Sequence, residues 1–254
     1  MYKDLGRIRQ INVVCLSLLF LITAAFNPAV ANSLSISVGW NKPPYVIEEK
    51  NSGFELDMIS AIFAKLGYSV NYVYVPFGRS NTLIKLGKVD AALTMNQRMD
   101  TEGLAMSIPY ISYQNAAISL KGRRLEINSI QDLKYYTIVG FQNASVVLGN
   151  EYRIMTRKSP LYLELPDQRK QVEMLLVGKV DFVVMDINIF NYLSTELMGN
   201  SHMENVVIHR LFPKTDYHMA FIDKDLMLSF NKAMTAFKQS DEYNNLVAKY
   251  EFLH

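Results

Sequence analysis

One short unit occurs twice in this chain and limits what it can fold into. Leu83–Arg98 reads LIKLGKVDAALTMNQR and Met174–Asp186 reads MLLVGKVDFVVMD. Each copy is an apolar helical run, then Gly-Lys-Val-Asp, then a second apolar run. A glycine at that place (Gly87, Gly178) suits a helix C-terminus, because a residue without a Cβ enters the left-handed conformation cheaply. The apolar run after it suits a buried strand. The pattern therefore predicts helix, tight turn and strand, twice. Polarity then returns abruptly, with Thr94, Asn96, Gln97 and Arg98 after the first strand and Asp186 and Asn188 after the second. Ligands of open α/β sheets sit outside the carboxyl ends of the strands, so these two ends are candidate walls of a site. One offers a cation, the other an anion.

The N-terminal stretch belongs to neither unit. Lys3, Arg7 and Arg9 precede a mostly apolar run from Ile11 to Phe26, and Ala29-Val30-Ala31 supplies a small-x-small cleavage signature. Together they predict a secretory signal peptide over 1–31, with an apolar run too short to favour a permanent anchor. Its removal takes three of 26 basic and one of 24 acidic residues, leaving 23 of each. A neutral mature chain has no electrostatic footprint for nucleic acid or an anionic membrane. The single cysteine, Cys15, leaves with the signal, so the exported protein folds without a disulfide. A periplasmic, monomeric product is expected.

Along the mature chain, Ser33 to Gly39 reads as a first strand, which Pro43-Pro44 must end because prolines lack the donor a ladder needs. Gly53 opens a helix through Leu66, and Tyr68 to Pro76 is a second strand. Further strands are read at Asn115–Leu120, Thr137–Phe141 and Tyr217–Ile222, with closing helices at Leu226–Lys238 and Asp241–Tyr250. Strands alternating with helices make the class α/β. The four histidines lack metal-ligand spacing, and no HExxH, P-loop or nucleophile elbow occurs. No cofactor is expected.

The order of several short motifs resembles one family: the type 3 bacterial extracellular solute-binding proteins, the amino-acid-binding branch of periplasmic receptors for ABC importers. They are Pro43-Pro44-Tyr45 after a strand, Gly53-Phe54-Glu55-Leu56-Asp57, the first Gly-Lys-Val-Asp unit with Arg98 and Ser107-Ile108-Pro109-Tyr110, Val139-Gly140-Phe141-Gln142, the second unit with Asp186, and Lys249-Tyr250. The resemblance implies a periplasmic-binding-protein-like type II fold, two α/β lobes joined by two hinge strands with a ligand cleft between them. It places lobe 1 at 32–112 and 215–254, and lobe 2 at 113–214. Ligand would be trapped by hinge closure.

Carried over residue by residue, the resemblance gives Arg98 the ligand's carboxylate, for which a planar guanidinium is suited. It gives Asp186 the ammonium, and Ser145 with nearby backbone amides a share of the carboxylate. Phe77 matches an aromatic lid, Tyr45 lies on the neighbouring loop, and Trp40 precedes the prolines. Thr94 is the nearest hydroxyl in a segment about four residues shorter than in amino-acid receptors, and Arg79 is an added cation. Five of these have a plainer role: surface charge for Arg98 and Arg79, a helix cap for Asp186, packing for Phe77 and Tyr45. Ala144 replaces a usual glycine, and Lys42 stands where many relatives carry an aromatic. Three functions compete. The leading one is a solute-binding protein delivering an amino acid or related compound to an ABC permease. The second is a sensor for a membrane receptor. The third is a cyclohexadienyl dehydratase-like enzyme, which needs a carboxyl acid of raised pKa such as Asp186 or Glu55.

Overall fold

The computed structural model describes residues 32–250 apart from Gln97 and the side chain of Phe77. The expected signal peptide lies outside them. In chain order the first part holds β1 (Asn32–Gly39), α1 (Phe54–Lys65), β2 (Tyr68–Val75), α2 (Ser80–Lys85), β3 (Ala91–Met95), β4 (Ala105–Met106) and β5 (Ile111–Tyr113). There follow β6 (Asn115–Leu120), β7 (Thr137–Phe141), α3 (Ala144–Val147), α4 (Asn150–Thr156), β8 (Leu161–Leu165), α5 (Gln168–Leu176), β9 (Phe182–Asp186), α6 (Ile187–Met198) and β10 (Val206–His209). β11 (Thr215–Phe221), α7 (Lys224–Phe237) and α8 (Asp241–Tyr250) close the chain.

The strands make two sheets. One runs β2-β1-β3-β11-β4 with β5 on β11; the other runs β10-β6-β9-β7-β8. β1 and β3 are parallel, as β7 is with β8 and β9, and β11 runs antiparallel to β3, β4 and β5. The chain crosses between sheets after Tyr113 and returns before Thr215, and these two residues face each other in the β5–β11 ladder. The two crossings are therefore neighbours, the arrangement a hinge requires.

The repeated unit folds as its sequence predicts. α2 and α5 each end in a glycine of positive φ, Gly87 at 62° and Gly178 at 72°. In both, the glycine N–H and the next lysine N–H turn back onto the last helical turn, to Ile84 and Leu83 in one and to Leu175 and Met174 in the other. This 5→2 and 6→1 pairing satisfies carbonyls the helix would leave open. Asp90 then accepts from Ser35 N–H and Asp181 from Thr137 N–H, pinning each new strand to the start of its parallel neighbour. β3 and β9 are buried at every residue, which is why both read as unbroken apolar runs.

α1 packs Phe63 against Phe230 of α7, ring centroids 5.5 Å apart, with Phe221 of β11 beside them. Aromatic burial of this kind is worth roughly 1.5–3 kcal/mol per ring. The last helix is tied back onto α1: Lys249 Nζ and Tyr250 Oη both donate to Asp57 at 2.7 Å, and the Tyr250 oxygen accepts from Gly53 N–H. Gly53 is required at that place, since a Cβ there would sit 2.3 Å from the Tyr45 carbonyl oxygen.

Candidate functional site

The carboxyl ends of both sheets' strands gather around one cavity of about 50 Å³, space for a few waters. Its lining starts with Gly39 at the end of β1, Trp40 after it, Pro76 after β2 and Thr94 on β3. The second sheet adds Phe141 and Gln142 at the end of β7, Pro166 and Gln168 after β8, and Asp186 at the end of β9. Lys42, Tyr113, Asn115, Ile189 and Tyr217 complete it.

One of these, Lys42, belongs to a buried ion pair. The prolines turn the chain after β1 so that Val46 N–H reaches the Lys42 carbonyl, and Lys42 Nζ is carried inward to Glu55 at 2.9 Å. Glu55 stands in the first turn of α1, wholly buried on a helix face otherwise made of Leu56, Ile59, Ile62 and Phe63. Its carboxylate accepts four bonds: from Lys42 and Tyr113 on one oxygen, from Thr94 and Tyr110 on the other. Lys42 in turn spends three N–H donors on Glu55, Thr94 and Tyr113, all that an ammonium has. Burial pushes the Glu55 carboxyl up, but Lys42 and the hydroxyl bonds outweigh it and hold it below its ordinary value. Burial pulls the Lys42 ammonium down more than Glu55 lifts it. Removing two charges from water is costly, and this closed network offsets the cost.

Asp186 is the opposite case. It caps α6, accepting from Asn188 and Ile189 N–H, and takes further bonds from Gln114 N–H and Tyr45 Oη. All four donors are neutral. Among the described residues no cation pairs with it, and burial pushes its carboxyl up to about 6 despite those bonds. Close by, three residues that line the cavity each carry a buried side-chain atom without a hydrogen-bond partner: Asn115 Nδ2, Gln142 Oε1 and Gln168 Oε1. Buried polar groups are normally paired, so these three, lying at the cavity, are candidate partners for a ligand's groups.

The sequence-predicted residues separate into two sets. Asp186, Thr94 and Trp40 line the cavity, and Tyr45 stands behind Asp186 with its ring stacked on Tyr113 at 4.1 Å. Arg98 lines a different recess, with Asn96, Leu148, Phe212 and His218, where its Nη1 donates to the Val147 carbonyl and its guanidinium lies against Gly149. Ser145 is not at the cavity, and its N–H is taken by Glu164. Arg79 is exposed and does not line the cavity. Phe77's side chain lies outside the described residues. Lys42, Asn115, Gln142 and Gln168 were missed as site residues. Gln142 follows β7 at its carboxyl end, a signal the sequence carries, whereas Gln168 follows β8, a strand the sequence pattern does not mark.

The fold and the site together define a two-lobed α/β protein with a polar cavity where the strand ends of both sheets meet. The chain belongs to the bacterial extracellular solute-binding proteins, family 3, whose family model matches residues 34–254. An ancestral arginine-binding protein bound to arginine is 23% identical, with a TM-score of 0.71 over 87% of this chain and 99% of that one. The ancestral amino acid-binding precursor of cyclohexadienyl dehydratase is 18% identical, with a TM-score of 0.71 over 86% and 95%. A histidine kinase sensor domain with similarity to periplasmic binding proteins is 17% identical, with a TM-score of 0.72 over 86% and 96%. At these identities the likeness carries the fold. Comparison with curated proteins gave no match. Among the described residues no helix is long and apolar enough to cross a membrane, and no cluster of three or more His, Cys, Asp or Glu suits a metal.

Proposed function

We propose that this protein captures a small amine-bearing solute, an amino acid or a related compound, by hinge closure and hands it to the permease of an ABC importer. The observation that carries the reading is Asp186: a carboxylate buried at the cavity with four neutral donors and, among the described residues, no paired cation, which an incoming ammonium would complete. In this reading lobe 1 is 32–112 with 215–254 and lobe 2 is 113–214. Each supplies one wall, so a ligand touching both stabilises the closed state. The protein works as a monomer in the periplasm after loss of 1–31, and N-terminal sequencing of secreted material should begin within a few residues of Asn32.

Mass spectrometry of small molecules released from the purified, denatured protein should find an amine. Scattering should then show the empty protein contracting when that amine is returned. Release of no amine together with no contraction would reject the reading. The sensing alternative uses the same site and differs in the membrane partner. The dehydratase alternative would draw on the raised carboxyl of Asp186 as its acid. Incubation with a cyclohexadienyl substrate and assay for the aromatic product separates it from binding alone.

A further inference from the structure

Resting on that reading, we propose that the cavity takes a small organic cation without a carboxylate, an amine or amidine whose other polar groups are uncharged.

Three cationic or donor groups are chemically able to receive a carboxylate, only one of them at the cavity, and this chain uses each of them itself. The guanidinium of Arg98 is turned onto the carbonyl of Val147 and packed against Gly149. The backbone amides of Asn143 and Ser145, at the start of α3, are both held at 2.8 Å by the two oxygens of Glu164, which Tyr162 Oη also steadies. A carboxylate already sits there, and it belongs to the protein. Lys42 is the one cation lining the cavity among the described residues, and its three donors are consumed by Glu55, Thr94 and Tyr113.

What remains open to a ligand has the other sign. The Lys42–Glu55 pair sums to zero, so Asp186 leaves the cavity one negative charge. Gln142 Oε1 and Gln168 Oε1 offer acceptors, and Asn115 Nδ2 is the lone unpartnered donor of the three open amide atoms. Aromatic rings of Trp40, Phe141, Tyr113 and Tyr217 line the same space, and such faces attract cations. A ligand carboxylate buried there would exchange water for one neutral N–H. An ammonium would meet Asp186 and two carbonyl oxygens.

Trp40 is the single tryptophan of the chain, so its fluorescence reports on the cavity directly. Titrating the mature protein with matched probes, arginine against agmatine, histidine against histamine, and each amino acid against its amide, separates the cases. The decarboxylated or amidated members are expected to bind at least tenfold more tightly than the parent amino acids. Equal or tighter binding of the parents overturns the inference while leaving solute capture standing. If no amine-bearing probe alters the signal and native mass spectrometry finds none bound, the amine-binding function falls with it.

Discussion

The two Gly-Lys-Val-Asp units are the same object up to the carboxyl ends of their strands and different objects from there on. Both end a helix on a left-handed glycine, both pin the strand with an aspartate, and both bury all five strand residues. At the end of β9, Asp186 stays at the cavity because it also caps α6, a fixed local job that holds its side chain in place. Within the end of β3, the polar group facing the cavity is Thr94, locked into the Lys42–Glu55 network, while Arg98, beyond the strand, reaches the second sheet's side and bonds Val147. Backbone geometry repeats because it depends on residues four or five apart. The destination of a charge does not, because it depends on partners far along the chain.

The largest effect should come from breaking the neutral wall. Lys42→Met would leave Glu55 buried without its cation, and removal of one partner of a buried pair costs about 3–5 kcal/mol. Urea denaturation at neutral pH would measure it. The double variant Lys42→Met/Glu55→Leu should be no less stable than the single one, since it leaves no orphan charge. A single-variant cost below about 1 kcal/mol would mean that water reaches the pair.

Asp186 comes next. Asp186→Asn keeps the shape and removes the charge, so affinity for an amine should fall by roughly 1.5–3 kcal/mol, about tenfold to 150-fold, with little change for an uncharged analogue. Calorimetry on both ligands decides it, and equal losses would reduce Asp186 to a helix cap. The same residue predicts a pH signature. Its folded value of about 6 lies above the ordinary 3.8, so the stability it contributes is full below about pH 4 and is lost as pH rises through 6. That loss is about 3 kcal/mol for a shift of this size, and Asp186→Asn should flatten it. Ligand affinity runs the other way: below pH 6 an ammonium must displace a proton, so binding weakens by up to tenfold per unit.

The same contrast explains what could be read from residues alone. β6, β7 and α8 have the bounds expected of them, because their patterns are local. β8 was not anticipated. It is an edge strand whose Leu161 and Leu163 are exposed, so its alternation marks no buried face. Asp186 and Thr94 were legible as polar ends of buried strands. The closure of Lys42 on Glu55 was not, since it also needs Thr94, Tyr110 and Tyr113, the nearest of them 39 residues beyond Glu55. Nor was Glu164, which reaches the amides of Asn143 and Ser145 only because β8 lies beside β7.

The smallest effect sharpens the comparison most. If Arg98 held a ligand's carboxylate, Arg98→Ala would cost the same tenfold to 150-fold as Asp186→Asn. In the structure its guanidinium instead joins the segment after β3 to the end of α3, bridging the two sheets' sides of the molecule. A charged donor on a neutral carbonyl contributes about 1.5 kcal/mol, and only to the conformation in which the two segments meet. Loss of the bond should therefore open the empty protein, raising its radius of gyration in scattering. Affinity should drop by no more than about tenfold, because the ligand must supply the closure energy that Arg98 gave. The drop should be the same for amines and for amino acids. A loss confined to ligands bearing a carboxylate would return Arg98 to the binding wall and make the two repeats alike after all.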